Sequence, residues 1–99
     1  MARFDVWRSR DGQDLLLDCQ SDMLSHLATR FVVPLLPVNA LSPPIRRLNP
    51  EFCVEDATVV MYTQLAAAVP VRELGDRVAS LADEQDRIVA AIDFLLSGF

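Results

Sequence analysis

The stretch SLADEQDRIVAAIDFLLSGF, residues 80–99, decides the fold. Ser80 stands where a helix N-cap is expected, and Asp83 follows three residues later in a capping-box-like position. Asp83, Glu84 and Asp86 lie near the positive end of the helix dipole. Ile88, Ile92, Leu95 and Phe99 recur on one helical stripe, flanked by Val89, Ala91 and Leu96. The pattern predicts a helix over about 81–96, ended by Gly98, which accepts the left-handed cap conformation.

Upstream of this helix the chain reads as strands and turns. Phe4-Asp5-Val6-Trp7 alternates as a half-buried strand does, with Trp7 in the core or at its rim. Asp11-Gly12 signals a turn, so residues 2–8 and 14–20 are expected to pair as a hairpin. Phe31-Val32-Val33 is β-rich, and Pro34 marks an edge or a bulge. Prolines at 37, 43, 44 and 50 make the next stretch a loop, with one short strand expected near Val38–Leu41. Phe52-Cys53-Val54, a turn at Glu55-Asp56 and Thr58–Tyr62 form a second hairpin. Leu65–Val69 reads as extended chain because Pro70 follows. Val71–Ala79 is mixed, with Gly75 as a break. Strands followed by one terminal helix imply a mainly β fold, a small antiparallel sheet or barrel closed by a C-terminal helix, in one domain spanning 1–99.

Composition narrows the function. The 99 residues are 52% hydrophobic and carry a formal charge of −5. All nine basic residues are Arg, and the nearest to a basic patch is Arg46-Arg47. That argues against broad nucleic-acid binding, which needs clustered cations. The N-terminus shows no export-signal pattern and no apolar run spans a bilayer, so a cytoplasmic protein is expected. Cys19 and Cys53 are expected to be buried thiols.

Candidate chemistry is sparse. Asp18, Asp22 and the lone His26 fall at spacings of four, but on a strand end and turn they do not converge, and the ligand count is short for zinc. No metal, no cofactor and no catalytic residue is expected. Ser21 lacks a nucleophile context. Thr29 and Arg30 are the residues open to a ribonuclease-like role, against the acidic balance. Two apolar features stand out instead. Met23-Leu24 sits between Ser21-Asp22 and Ser25-His26, where both cannot face a core. Leu96 and Phe99 carry apolar surface to the last residue, a plausible contact site.

Several segments together resemble the CcdB family of plasmid-addiction toxins. They are Gln20-Ser21-Asp22 followed by two apolar residues, then Arg30 and a strand ending in Pro34-Leu35; Val69-Pro70-Val71; the Gly75…Val78-Ala79…Leu81 spacing; and a last helix ending in Gly98 plus one apolar residue. The likeness runs nearly end to end and is weakest between 37 and 62. It implies a CcdB/MazF-like SH3-like barrel, with an antiparallel sheet, a smaller side sheet and a C-terminal helix, assembled as a homodimer. It implies a toxin that binds the A subunit of DNA gyrase, traps it on cleaved DNA, performs no covalent chemistry and is removed by a CcdA-like antitoxin. The implied gyrase contacts are Met23, Leu24, Asp93, Leu96, Ser97, Gly98 and Phe99. Antitoxin contacts are implied near Arg8–Asp14 and Leu41–Arg47, and the acidic chain suits an Arg/Lys-containing disordered partner. The family's terminal Trp-Gly-Ile stands here as Ser97-Gly98-Phe99, and its Asn as Asp93. Losing a Trp anchor removes about 2 kcal/mol or more, roughly 30-fold in affinity. Two alternatives therefore stay open: a protein of this fold that binds without poisoning gyrase, and a MazF-like endoribonuclease.

Overall fold

Alternation and turn chemistry build two hairpins, as expected, and a longer strand joins them. The structure, a computed structural model, describes residues 2–98. The strands are β1 (Asp5–Ser9), β2 (Leu15–Asp18), β3 (Thr29–Pro37), β4 (Glu51–Val54), β5 (Ala57–Met61), β6 (Ala67–Pro70) and β7 (Leu74–Ser80); helix α1 spans Gln85–Ser97. All pairings are antiparallel, in the order β4-β5-β3-β2-β1-β7, with β6 added to β3. The sheet curls into a half-barrel closed by the terminal helix.

Each turn has a local cause. In the first hairpin Gly12 takes φ +78°, and the Asp11 carboxylate accepts from the Ser9 hydroxyl and the Gln13 amide. Those two donors, the Ser9 hydroxyl first, hold the Asp11 carboxyl below its usual range. In the second hairpin Glu55 and Asp56 both take positive φ, 51° and 65°, between the paired residues Val54 and Ala57. That is the type I′ geometry whose twist matches flanking strands.

Strand β3 is the spine. Along one edge, residues 32–35 pair with β2. Along the other, Thr29–Val32 pair with β6, the smaller side arm, and Leu35–Pro37 pair with β5. Pro34 lies where that second edge passes from β6 to β5. Its carbonyl accepts from the Tyr62 amide, so its missing N–H faces the same gap and breaks no ladder bond to β2. The main core collects Phe4, Val6, Leu17, Val33, Leu35, Phe52, Met61, Ile88 and Ala91. Each large apolar side chain buried there contributes about 1.5–3 kcal/mol. On the sheet's other face the proline-rich loop is stitched down. Tyr62 Oη donates to the Ser42 carbonyl, Thr63 Oγ1 to the Leu48 carbonyl, and Asn49 Nδ2 to the Met61 carbonyl.

Four expectations are corrected. Residues 38–41 turn, with Asn39 at φ +65°, and form no strand. The segment 65–69 is extended for most of its length, as expected, since β6 follows the 3₁₀ turn Thr63–Leu65. Gly75 does not break the chain. It sits inside β7, where a Cβ would lie 3.0 Å from the Arg8 carbonyl oxygen and 3.3 Å from that of Ser9. The β1–β7 register shifts beside it, so glycine here permits close backbone approach at an irregular pairing. The Ser80 hydroxyl accepts from the Ala82 amide just ahead of a 3₁₀ turn, Ala82–Glu84, whose cap position is Leu81; α1 starts only at Gln85, and Leu95, placed on the buried stripe, is exposed. Cys53 is exposed, because it alternates outward between Phe52 and Val54.

Two outcomes follow. Gly75→Ala pushes a methyl against the Arg8 carbonyl, an overpacking cost of about 1–3 kcal/mol. It should lower the urea midpoint at constant m; an unchanged midpoint would show slack between β1 and β7. Burial, with the Asp18 carboxylate nearby, pushes the Cys19 thiol up to about 12. A thiol reagent at pH 8 should therefore modify Cys53 alone in the native protein and both cysteines in urea, read by intact mass.

Candidate functional site

The residues from Gln20 to Arg30 form a frame that faces apolar side chains outward. At its root Asp18, ending β2, and Arg30, in β3, are both fully buried and paired through two bonds to one carboxylate oxygen, from Nε at 3.0 Å and Nη2 at 2.6 Å. The other oxygen of Asp18 accepts from the Gln20 amide at 3.1 Å. The Gln20 side chain then spans the loop. Its Nε2 donates to the carbonyls of Leu24 and Thr29, and its Oε1 accepts from the Phe31 amide. Ser21 caps a 3₁₀ turn, Asp22–Leu24, by accepting from the Met23 amide, and Asp22 accepts from the Arg3 amide. The Gln-Ser-Asp run is thus a loop-building device with one job for each side chain.

What it holds out is Met23, 87% exposed, and Leu24, 45% exposed. No residue of that turn is buried. The second part is the helix end. Leu96 is 76% exposed, and Asp93, Ser97 and Gly98 also face solvent. Gly98 takes φ +77°, and its N–H donates to the Phe94 carbonyl, a left-handed cap that ends the helix cleanly. Phe99 lies outside the described residues.

The two parts are linked through the fold. The Thr63–Leu65 turn packs against α1 and runs into β6, which pairs with the Phe31 end of β3. The Val71 amide donates to the Ala28 carbonyl, tying the end of β6 to the loop that carries Met23. Along this path Leu27, Phe31 and Leu65 are also exposed apolar residues, which sequence reading left out. Phe31 had a signal: it shares a strand face with Val33 and Leu35, but lies beyond the edge of the core they enter. Leu27 and Leu65 had none, since a leucine in a short turn reads the same whether buried or not.

The structure places the other candidate residues separately. Arg30 is locked in its buried pair and is not presented to a substrate, while Thr29 is exposed. His26 is exposed, and among the described residues no group of three or more His, Cys, Asp or Glu is placed to hold a metal ion. No described helix is long and apolar enough to cross a membrane.

Comparison with known proteins agrees with this architecture. The family model described as CcdB protein matches residues 3–98. Among solved structures, the Mycobacterium tuberculosis toxin MazF-mt6 superposes with a TM-score of 0.76 at 17% identity, covering 93% of this chain and 95% of that one. An endoribonuclease in complex with its cognate antitoxin, from a mycobacterial species, gives a TM-score of 0.79 at 18% identity, covering 97% and 94%. At such identities the likeness is one of fold.

The buried pair can be tested directly. Arg30→Met strands the Asp18 carboxylate and should cost about 3–5 kcal/mol, a large part of a typical 5–15 kcal/mol total. Adding Asp18→Leu should recover most of that loss in urea melts; a double variant no better than the single one would refute the pairing's role.

Proposed function

The chain belongs to the CcdB family, and from that premise we propose that it is the toxin of a toxin–antitoxin pair. It acts in the cytoplasm as a homodimer that binds the A subunit of DNA gyrase and is removed by a CcdA-like antitoxin. The proposed contact surface is Met23, Leu24, Asp93, Leu96, Ser97, Gly98 and Phe99. The observation that carries the reading is the exposure of Met23 and Leu96, two large apolar side chains held in water by a capped 3₁₀ turn and a capped helix end. Met23 with Leu24 beside it, and Leu96 next to Leu95, are clustered exposed apolar residues of the kind that mark interaction sites.

The mechanism is one of preferential binding. An apolar surface fitting one state of the gyrase subunit stabilises that state by the difference in affinity and by nothing else. A two-fold dimer would present two copies to a two-fold target. Met23 and Leu96 supply apolar contact, Gly98 ends the helix in a left-handed cap, and Asp93 sets a carboxylate on the exposed helix face. Exposed anchors of this kind are worth about 1–2 kcal/mol each when desolvated.

A second reading is motivated by the solved neighbours, one of which is described as an endoribonuclease in complex with its cognate antitoxin. It would require RNA to meet a chain of formal charge −5 whose Arg30 is sequestered. A third, antitoxin binding without gyrase poisoning, is motivated by Ser97 and Asp93.

Over-expression is expected to halt growth, and the purified protein to bind a gyrase A fragment in calorimetry. Deleting Gly98-Phe99 should abolish both. Met23→Ala and Leu96→Ala should each weaken binding by about 5- to 30-fold while leaving the melting curve within the scatter of surface substitutions. Harmless over-expression with intact antitoxin binding would favour the third reading. Cleaved cellular RNA without gyrase binding would favour the second.

A further inference from the structure

A cleft of about 270 Å³ opens between the Arg47–Pro50 segment and α1, lined by Arg47, Pro50, Arg87 and Ala90. Two stacked guanidinium groups define it. Arg47 lies 4.6 Å from the centroid of the Phe94 ring, and Arg87 4.7 Å from that of Phe52. Arg87 is held further by Nη2 donating to the Glu51 carbonyl at 2.9 Å and Nη1 to the Glu84 carboxylate at 3.2 Å. Arg47 makes no ion pair among the described residues. Stacking fixes a guanidinium plane and leaves its N–H edge free. The partner that fits such an edge is a carboxylate, which accepts two parallel bonds.

We propose that this cleft binds a peptide segment of a partner protein that sets one carboxylate side chain beside one apolar side chain. Arg47 takes the carboxylate. Ala90 and Pro50 supply apolar surface for the neighbouring side chain. The volume falls below the ~300–1,000 Å³ of pockets that enclose small ligands, so the cleft suits side chains presented on a chain. Recognition of acidic motifs by arginine clusters is an established mode of peptide binding. Nucleic acid is disfavoured, because the Glu84 carboxylate adjoins Arg87 and the whole chain carries −5. The local preference is opposite in sign to the one the net charge suggests, since a partner at contact meets the nearest groups first.

This inference goes beyond the gyrase reading and uses none of its residues. Arg47 closes the segment implied for antitoxin contact by family resemblance, but a generic peptide tests the cleft without any antitoxin. The ¹⁵N-labelled full chain is titrated with the capped peptide Gly-Ser-Glu-Leu-Ser-Gly and with its glutamine analogue. The expected result is amide shifts confined to Arg47, Arg87, Ala90 and their neighbours, with the glutamine peptide binding at least about five-fold more weakly. Arg47→Gln should cause a similar loss with an unchanged circular dichroism spectrum. Equal binding of the two peptides, shifts elsewhere, no shifts at millimolar peptide, or full affinity in Arg47→Gln would overturn the proposal. Tighter binding of a single-stranded RNA hexamer at the same residues would overturn it in favour of nucleic acid.

Discussion

The Asp18–Arg30 pair is the constraint from which the exposed surface follows. Both side chains are fully buried, one at the end of β2 and one near the start of β3. A buried pair gains little net stability over an apolar one, because desolvation offsets the attraction. What it does supply is position. Arg30 must face Asp18 and share the strand side of Val32, so Phe31 falls on the side of Val33 and Leu35. A one-residue slip would strand a charge in the interior and reverse every side chain that follows. The pair also places Gln20, through the bond from its amide to Asp18, and Gln20 then closes the loop that carries Met23 and Leu24. An exposed apolar turn is thereby held by buried polar bonds, so its own side chains are released from packing duty.

The helix end reaches the same condition by different means. Ile88 and Ala91 anchor α1 in the core, and the helix then runs past that core. Its last turn has no apolar surface beneath it large enough to bury Leu95 and Leu96, which stay in solvent. The left-handed Gly98 satisfies the Phe94 carbonyl and stops the helix at a defined point. Both apolar features therefore sit on backbone ordered before any partner arrives, which lowers the entropy cost of association.

Much of this was legible in the residues, and the misses have physical causes. The two hairpins, the terminal helix and the family resemblance rest on periodicity, on turn residues such as Asp11-Gly12 and on ordered motifs, all local in sequence. Residues 71–79 were misread, with Gly75 taken as a break, because Val, Ala and Gly are compatible with several conformations and pairing with β1 chose among them. Cys53 and Leu95 were placed inside on residue type or stripe alone. Burial depends on where the core ends, and that is a property of the assembled sheet.

The amino-acid sequence by itself determined the two hairpins, the terminal helix, the apolar character of Met23-Leu24 and Leu96, and the acidic balance, because each is a matter of neighbours within a few positions. Only the tertiary structure decided that Arg30 is locked inward rather than offered to a substrate, that Gly75 makes room for the Arg8 carbonyl, and that Arg47 and Arg87 meet across a cleft. Those facts join residues 12, 67 and 40 positions apart. No local propensity encodes such distances; they exist once the sheet has curled and the helix has closed over it.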